Sequence, residues 1–170
     1  MKGLVHIYMG KGKGKTTAAV GLGVRACGRG LKVLMVQFLK STDSGEIHAL
    51  SNLPGFQIYR SGKVKGFFWM MNEEEKELLK EAVEECFNYA INSVRERSFD
   101  LLILDEMLGA IENGLLDLKA MIDFIDNKPH ELELVLTGRN APPELIEKAD
   151  YVSQIGEVKH PMEKGIKARK

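Results

Sequence analysis

Met9-Gly10-Lys11-Gly12-Lys13-Gly14-Lys15-Thr16-Thr17 is the stretch on which the fold turns. An apolar run at residues 4–9 leads into it and reads as a buried strand. Residues 16–27 follow, rich in Ala, Val and Leu with no proline, and read as a helix. Strand, glycine turn and helix in that order bring several backbone N–H groups and a helix N-terminus to one point, which suits a phosphate. Glycines let the backbone wrap an anion with no Cβ in the way. Lys15 can then reach phosphate oxygens, and the Thr16 hydroxyl can ligate Mg²⁺. Gly10, Lys11, Gly12, Lys13, Gly14 and Thr17 complete the candidate nucleotide-binding turn. The common GxxxxGK[ST] pattern has glycine where Met9 stands. The strand before, the helix after and the three alternating glycines nevertheless favour a phosphate loop over a flexible surface turn. Lys11 and Lys13 also read as solvated charges beside the phosphates.

Working outward, Gly28-Arg29-Gly30 is expected to end the first helix, since glycine tolerates the left-handed cap. Residues 32–38 form a second strand with apolar side chains on both parities, as a sheet covered on both faces requires. Residues 56–59 are a candidate third strand. Asn72-Glu73-Glu74-Glu75 has the form of a capping box, opening a helix to about residue 95. Leu79, Val83, Phe87, Ala90 and Val94 give that helix one apolar face. Strands are further expected at 99–104, 131–137 and 151–155, with helices at 117–126 and 142–149. This alternation predicts a three-layer α/β fold of the P-loop NTPase, RecA-like kind, with a mainly parallel central sheet of five or six strands. No linker or repeat interrupts it, so residues 1–170 read as one nucleotide-binding domain with an irregular basic tail at 156–170.

Lys+Arg and Asp+Glu both count 24, and the net charge is zero. Global charge therefore gives no reason to expect nucleic acid or an anionic membrane as partner. No run approaches the ~20 apolar residues of a membrane span, and no signal peptide precedes the first strand, so cytoplasm is the default compartment. Cys27 and Cys86 read as small buried thiols rather than a disulfide.

Leu101-Leu102-Ile103-Leu104-Asp105-Glu106 is an apolar strand ending in two carboxylates. In phosphate-loop proteins a neighbouring strand places an acid at this point, near the metal on the triphosphate. One carboxylate is expected to hold Mg²⁺ directly or through water and the other to accept structural hydrogen bonds. Spacing leaves both Asp105 and Glu106 as metal candidates beside Thr16.

Several segments together resemble the ATP:corrinoid adenosyltransferases of the P-loop type. Gly10 to Thr17 reads GKGKGKTT against that family's Gly-(Asn/Asp)-Gly-Lys-Gly-Lys-Thr-Thr. Ala18-Ala19 and Arg25-Ala26-Cys27-Gly28 resemble its AA…RAxG. Gln37-Phe38-Leu39-Lys40 resembles its QFxK, and Leu104-Asp105-Glu106 its LDE. Thr137-Gly138-Arg139 with Ala141-Pro142 is similar to TGRxAP, and Lys159-His160-Pro161 with Gly165-Ile166-Lys167-Ala168 to KHP…GxKA. The order holds along nearly the whole chain. It departs at Lys11, which stands for Asn or Asp. It also departs at the ends: some relatives carry an extra N-terminal segment over the ATP site, and most continue beyond the position of Lys170.

The resemblance implies transfer of the 5′-deoxyadenosyl group of ATP to the cobalt of a reduced corrinoid, releasing triphosphate. It makes Lys15 and Glu106 the catalytic pair and adds Arg25, Arg139 and His160 to the ATP site. It places Phe67 and Trp69, in the aromatic stretch Gly66-Phe67-Phe68-Trp69, near the corrin ring. It further implies Mg²⁺, a homodimer and an electron-donor flavoprotein. The residues themselves leave open a P-loop ATPase or small-molecule kinase releasing ADP, and a non-catalytic ATP-binding regulator. They do not choose between cobalamin and an incomplete corrinoid.

Overall fold

The structure is a computed structural model and describes residues 2–40, 43–62, 68–96, 99–159 and 165. Six strands form one sheet: β1 (Val5–Met9), β2 (Val33–Gln37), β3 (Phe56–Arg60), β4 (Leu101–Asp105), β5 (Glu133–Gly138) and β6 (Tyr151–Gln154). Their order is β3-β2-β4-β5-β1-β6, and every neighbouring pair is parallel. Among the described residues six helices accompany them: α1 (Lys15–Cys27), α2 (Gly45–Leu50), α3 (Glu73–Arg95), α4 (Met107–Glu112), α5 (Leu118–Asn127) and α6 (Pro143–Lys148). A 3-10 turn, Phe68–Met70, precedes α3. Among the described residues no helix is long and apolar enough to cross a membrane.

The strand pleat explains the three layers. Side chains alternate between the faces of a strand, and here both sets are apolar. Leu34 and Val36 of β2, Leu102 and Leu104 of β4, and Leu134 and Leu136 of β5 enter one core with α3, α4 and α5. Val33, Met35, Leu101, Ile103 and Val135 enter a second core beneath α1. α3 buries Leu79, Val83, Phe87, Ala90 and Val94 as its periodicity predicts, adding Ala82 and Cys86. Its capping box is formed: the Glu75 amide donates to Asn72 Oδ1 and the Asn72 amide to Glu75 Oε2, both at 2.8 Å.

Gly28-Arg29-Gly30 ends α1 as expected, with Gly28 right-handed at φ −62° and Gly30 the left-handed residue at φ 80°. The chain makes one more turn before reversing, through Arg29 N–H to Ala26 C=O and Gly30 N–H to Cys27 C=O. Three expectations are corrected. Cys27 is half-buried rather than buried, while burial pushes the Cys86 thiol up to about 11, which leaves it unreactive. The acidic strand β4 is not the neighbour of β1, because β5 lies between them. Finally, α2 and α4 occupy stretches for which no element was expected. Of the expected tail, residues 156–159 carry no helix or strand, and the rest apart from Gly165 lies outside the described residues.

Candidate functional site

In a parallel sheet all the strands end on one edge, and here that edge collects the polar residues. The sheet register sets Gln37 opposite both Asp105 and Arg60, and Met9 opposite Gly138 and Gln154. The ends of β1, β2, β4 and β5 thus deliver the glycine loop, Gln37, Asp105 and Thr137 to one place.

The loop is shaped from outside as well as by its own glycines. The Gly10 amide donates to the Arg139 carbonyl and the Gly12 amide to the Ile155 carbonyl, each at 2.9 Å. A Cβ on Gly10 would collide with the Ile155 carbonyl, and one on Gly12 with that of Gly156. These two positions therefore need glycine for close packing against the chain leaving β6. Gly14, at φ 124° with open space around it, needs glycine for its backbone conformation. Lys15, the first residue of α1, turns its ammonium back to the Gly12 carbonyl at 2.8 Å. Lys11, Lys13 and Thr17 are exposed.

Asp105 is fully buried and accepts four hydrogen bonds. Its Oδ1 accepts from the hydroxyls of Thr16 (2.9 Å) and Thr137 (2.7 Å), and its Oδ2 from Gln37 Nε2 (3.0 Å) and Lys40 Nζ (2.8 Å). Arg60 Nε in turn donates to Gln37 Oε1 at 2.6 Å, fixing the amide so that its N–H₂ faces the acid. Such a saturated carboxylate is a structural node that holds Thr16 at the mouth of the loop.

Glu106 is differently placed. It has φ 60°, and among the described residues it is the non-glycine residue with a left-handed backbone. Conformations of this kind cost about 1 kcal/mol or more and persist where neighbours enforce them. Here the Glu106 amide donates to Thr137 Oγ1 at 2.9 Å as the chain turns from β4 into α4. The carboxylate accepts no hydrogen bond among the described residues, and Lys40, Lys15 and Arg139 are the cations that act on it. Burial first, and Asp105 second, raise its pKa, and those three cations only partly offset the rise.

These donors fit Mg²⁺. The ion prefers hard oxygens, takes one or two carboxylates and completes its shell with substrate phosphates and water. No group of three His, Cys, Asp or Glu side chains capable of holding a metal exists among the described residues, so a metal here would depend on phosphate oxygens. Between the two acids left open by spacing, the geometry favours Glu106, with Asp105 positioning the Thr16 hydroxyl.

The Glu106 shift carries a prediction. Its folded pKa lies above the unfolded one, so its contribution to stability is full below the unfolded pKa, ~4.3. It is lost as pH rises through the folded pKa. Glu106→Gln keeps the neutral form at every pH. The variant should be more stable than wild type at pH 7.5 and equal to it below pH ~4, while binding Mn²⁺ with tripolyphosphate at least tenfold more weakly. Urea titrations at both pH values and a metal titration check the two halves.

The remaining candidates divide. Arg139 is exposed and borders a cavity of about 520 Å³ beside the loop, with Met9, Gly10, Asn140, Gln154 and Glu157. Arg25 is not brought to the loop: ten residues along α1 from Lys15 is ~15 Å at the helical rise. It lines a groove with Lys2, Asp100 and Glu131 at the opposite edge of the sheet. Phe67 and His160 lie outside the described residues, as does the side chain of Trp69, whose backbone is in the 3-10 turn. Gln37, Lys40 and Thr137 were quoted from the sequence only as parts of motifs, yet they build the site. Polar residues ending otherwise apolar strands were the available signal.

A glycine loop between β1 and α1, with an acid at the end of a strand one place removed, defines a P-loop nucleotide-binding α/β protein. The family described as "ATP:corrinoid adenosyltransferase BtuR/CobO/CobP" matches residues 1–170. The corrinoid adenosyltransferases of Escherichia coli (strain K12) and Pseudomonas aeruginosa are each 34% identical over 99% of this chain, with 84% and 82% of their own lengths covered. "Corrinoid adenosyltransferase CobA" of Salmonella typhimurium is 31% identical over 99% of this chain and 84% of its own length. The chain belongs to the ATP:corrinoid adenosyltransferase family.

Proposed function

We propose that the protein transfers the 5′-deoxyadenosyl group of ATP to the cobalt of a Co(I) corrinoid in adenosylcobalamin biosynthesis or salvage. The observation that carries this reading, within the family, is the glycine loop with two ammonium groups at its mouth, Lys15 on the Gly12 carbonyl and Lys40 on Thr16 and Asp105. A triphosphate leaving group gathers negative charge, and cations already held in place stabilise that charge as it develops. Cobalt(I) supplies the electron pair for the new Co–C bond, and the C5′–O bond breaks with its pair passing to triphosphate. The acceptor is thus its own nucleophile, and the protein's tasks are binding, orientation and charge stabilisation. Thr16 and Glu106 are the residues that would hold Mg²⁺, which when bound neutralises charge on the phosphates as a Lewis acid.

Gly10 to Thr17 and Arg139 bind ATP in this reading, with His160 near the ribose. Phe67 and Trp69 face the corrin ring. β3 ends on the edge that carries Gln37 and Asp105, and Met70, next to Trp69 in the chain, is 77% exposed. An exposed apolar side chain of this kind suits contact with a large flat ligand. A cytoplasmic homodimer supplied with electrons by a flavoprotein completes the proposal.

Incubation with ATP and a chemically reduced corrinoid tests it. Tripolyphosphate and a cobalt–carbon bond are the expected products. ADP without that bond would establish a kinase or ATPase, and ATP bound without turnover a non-catalytic regulator.

A further inference from the structure

Lys40 belongs to no element and lies three residues past the end of β2. The Phe38 amide donates to the Asp105 carbonyl at 3.0 Å, extending the ladder one step and aiming the chain toward the acid. The Lys40 ammonium, on a side chain 27% exposed, reaches Asp105 Oδ2 at 2.8 Å and Thr16 Oγ1 at 3.1 Å. The Thr16 proton is already given to Asp105 Oδ1, so it is a lone pair of the hydroxyl that accepts from Lys40. A monovalent cation therefore sits on the same hydroxyl oxygen that a divalent cation at this loop would need. Were Mg²⁺ to bind that oxygen at its usual ~2.1 Å, an unmoved ammonium would lie roughly 4 Å from it, where like charges repel strongly. The ammonium must leave Thr16 when the metal arrives, and an anion must receive it.

We propose that Lys40 is a positioning residue that, from Asp105, guards the Thr16–Glu106 seat against free divalent cations and yields the Thr16 hydroxyl when a polyphosphate in the loop takes over its ammonium. Metal and triphosphate then enter together, and Lys40 joins Lys15 on the phosphates. The inference rests on the reading of Thr16 and Glu106 as the metal seat.

The test measures two affinities in nucleotide-free protein: Mn²⁺ alone, by the free-ion EPR signal, and tripolyphosphate in EDTA, by calorimetry. Lys40→Met should bind Mn²⁺ about tenfold or more tightly and tripolyphosphate about tenfold more weakly. Lys40→Arg should keep both affinities near wild type. Opposite signs are the signature, because simple damage to the site would weaken both ligands. Lys40→Gln, which keeps hydrogen-bond donors toward Asp105 and Thr16, serves if the methionine variant does not fold. Neutral variants that bind Mn²⁺ no more tightly than wild type would overturn the inference, as would tripolyphosphate affinities left unchanged. Wild-type protein that binds no Mn²⁺ even with tripolyphosphate would instead remove the metal seat on which the inference stands.

Discussion

Replacing Asp105 with alanine is expected to cost the protein about 3–5 kcal/mol of folding stability. The carboxylate has no exposed surface and satisfies Thr16, Thr137, Gln37 and Lys40 together. Gln37 and Thr137 are themselves buried, at 1% and 0% exposure, so water cannot readily replace the lost acceptor. Each stranded donor costs about 1–3 kcal/mol, and the Lys40 charge loses its partner as well. Against a total of about 5–15 kcal/mol for a typical domain, such a loss approaches unfolding. Asp105→Asn should recover little, because one face of the amide would turn N–H₂ toward donors. Urea denaturation measures both variants, and a loss below ~1 kcal/mol would show that the four bonds are not what holds these strand ends.

Lys15→Ala should leave folding intact and weaken ATP binding by about a hundredfold or more. The Lys15 ammonium contacts only the Gly12 carbonyl among the described residues, at a half-buried position, so its removal strands nothing in the core. Toward a polyphosphate the same ammonium makes charge-assisted hydrogen bonds of about 1.5–3 kcal/mol each, and two of them account for that factor. Calorimetric titration with MgATP, alongside thermal unfolding, separates binding from stability. Affinity within threefold of wild type would exclude Lys15 from the phosphate site.

What the sequence made legible follows physical scale. Strands β2, β4 and β5 were readable because both parities are apolar over five or six residues, and α3 because its stripe repeats over 23 residues. Helices α2 and α4, six residues each, are too short to show a period, and α4 begins from a left-handed Glu106 that no local rule favours. Asp105 and Glu106 were visible as a pair but interchangeable. Only their surroundings separate them, and those come from β2 and β5, far away in the chain. Arg25 shows the converse case, since the motif alone assigned it to the phosphate side while ten residues of helix carry it toward the other edge of the sheet. The glycines at 10 and 12 were read for a ligand's access, and the structure gives them a further reason in the chain that leaves β6.

That last contact has a consequence for the order in which the protein becomes competent during its synthesis. A ribosome delivers the loop almost at once, but β1 stands between the two strands made last, and the Gly12 amide finds its partner only in Ile155. At ~5–20 residues per second, roughly 7–30 seconds separate translation of Thr16 from that of Ile155. Through that interval the nascent chain carries every loop residue but lacks the Ile155 carbonyl that anchors Gly12. Newly made protein therefore gains the full packing of this loop only once the last strand of its sheet has been added.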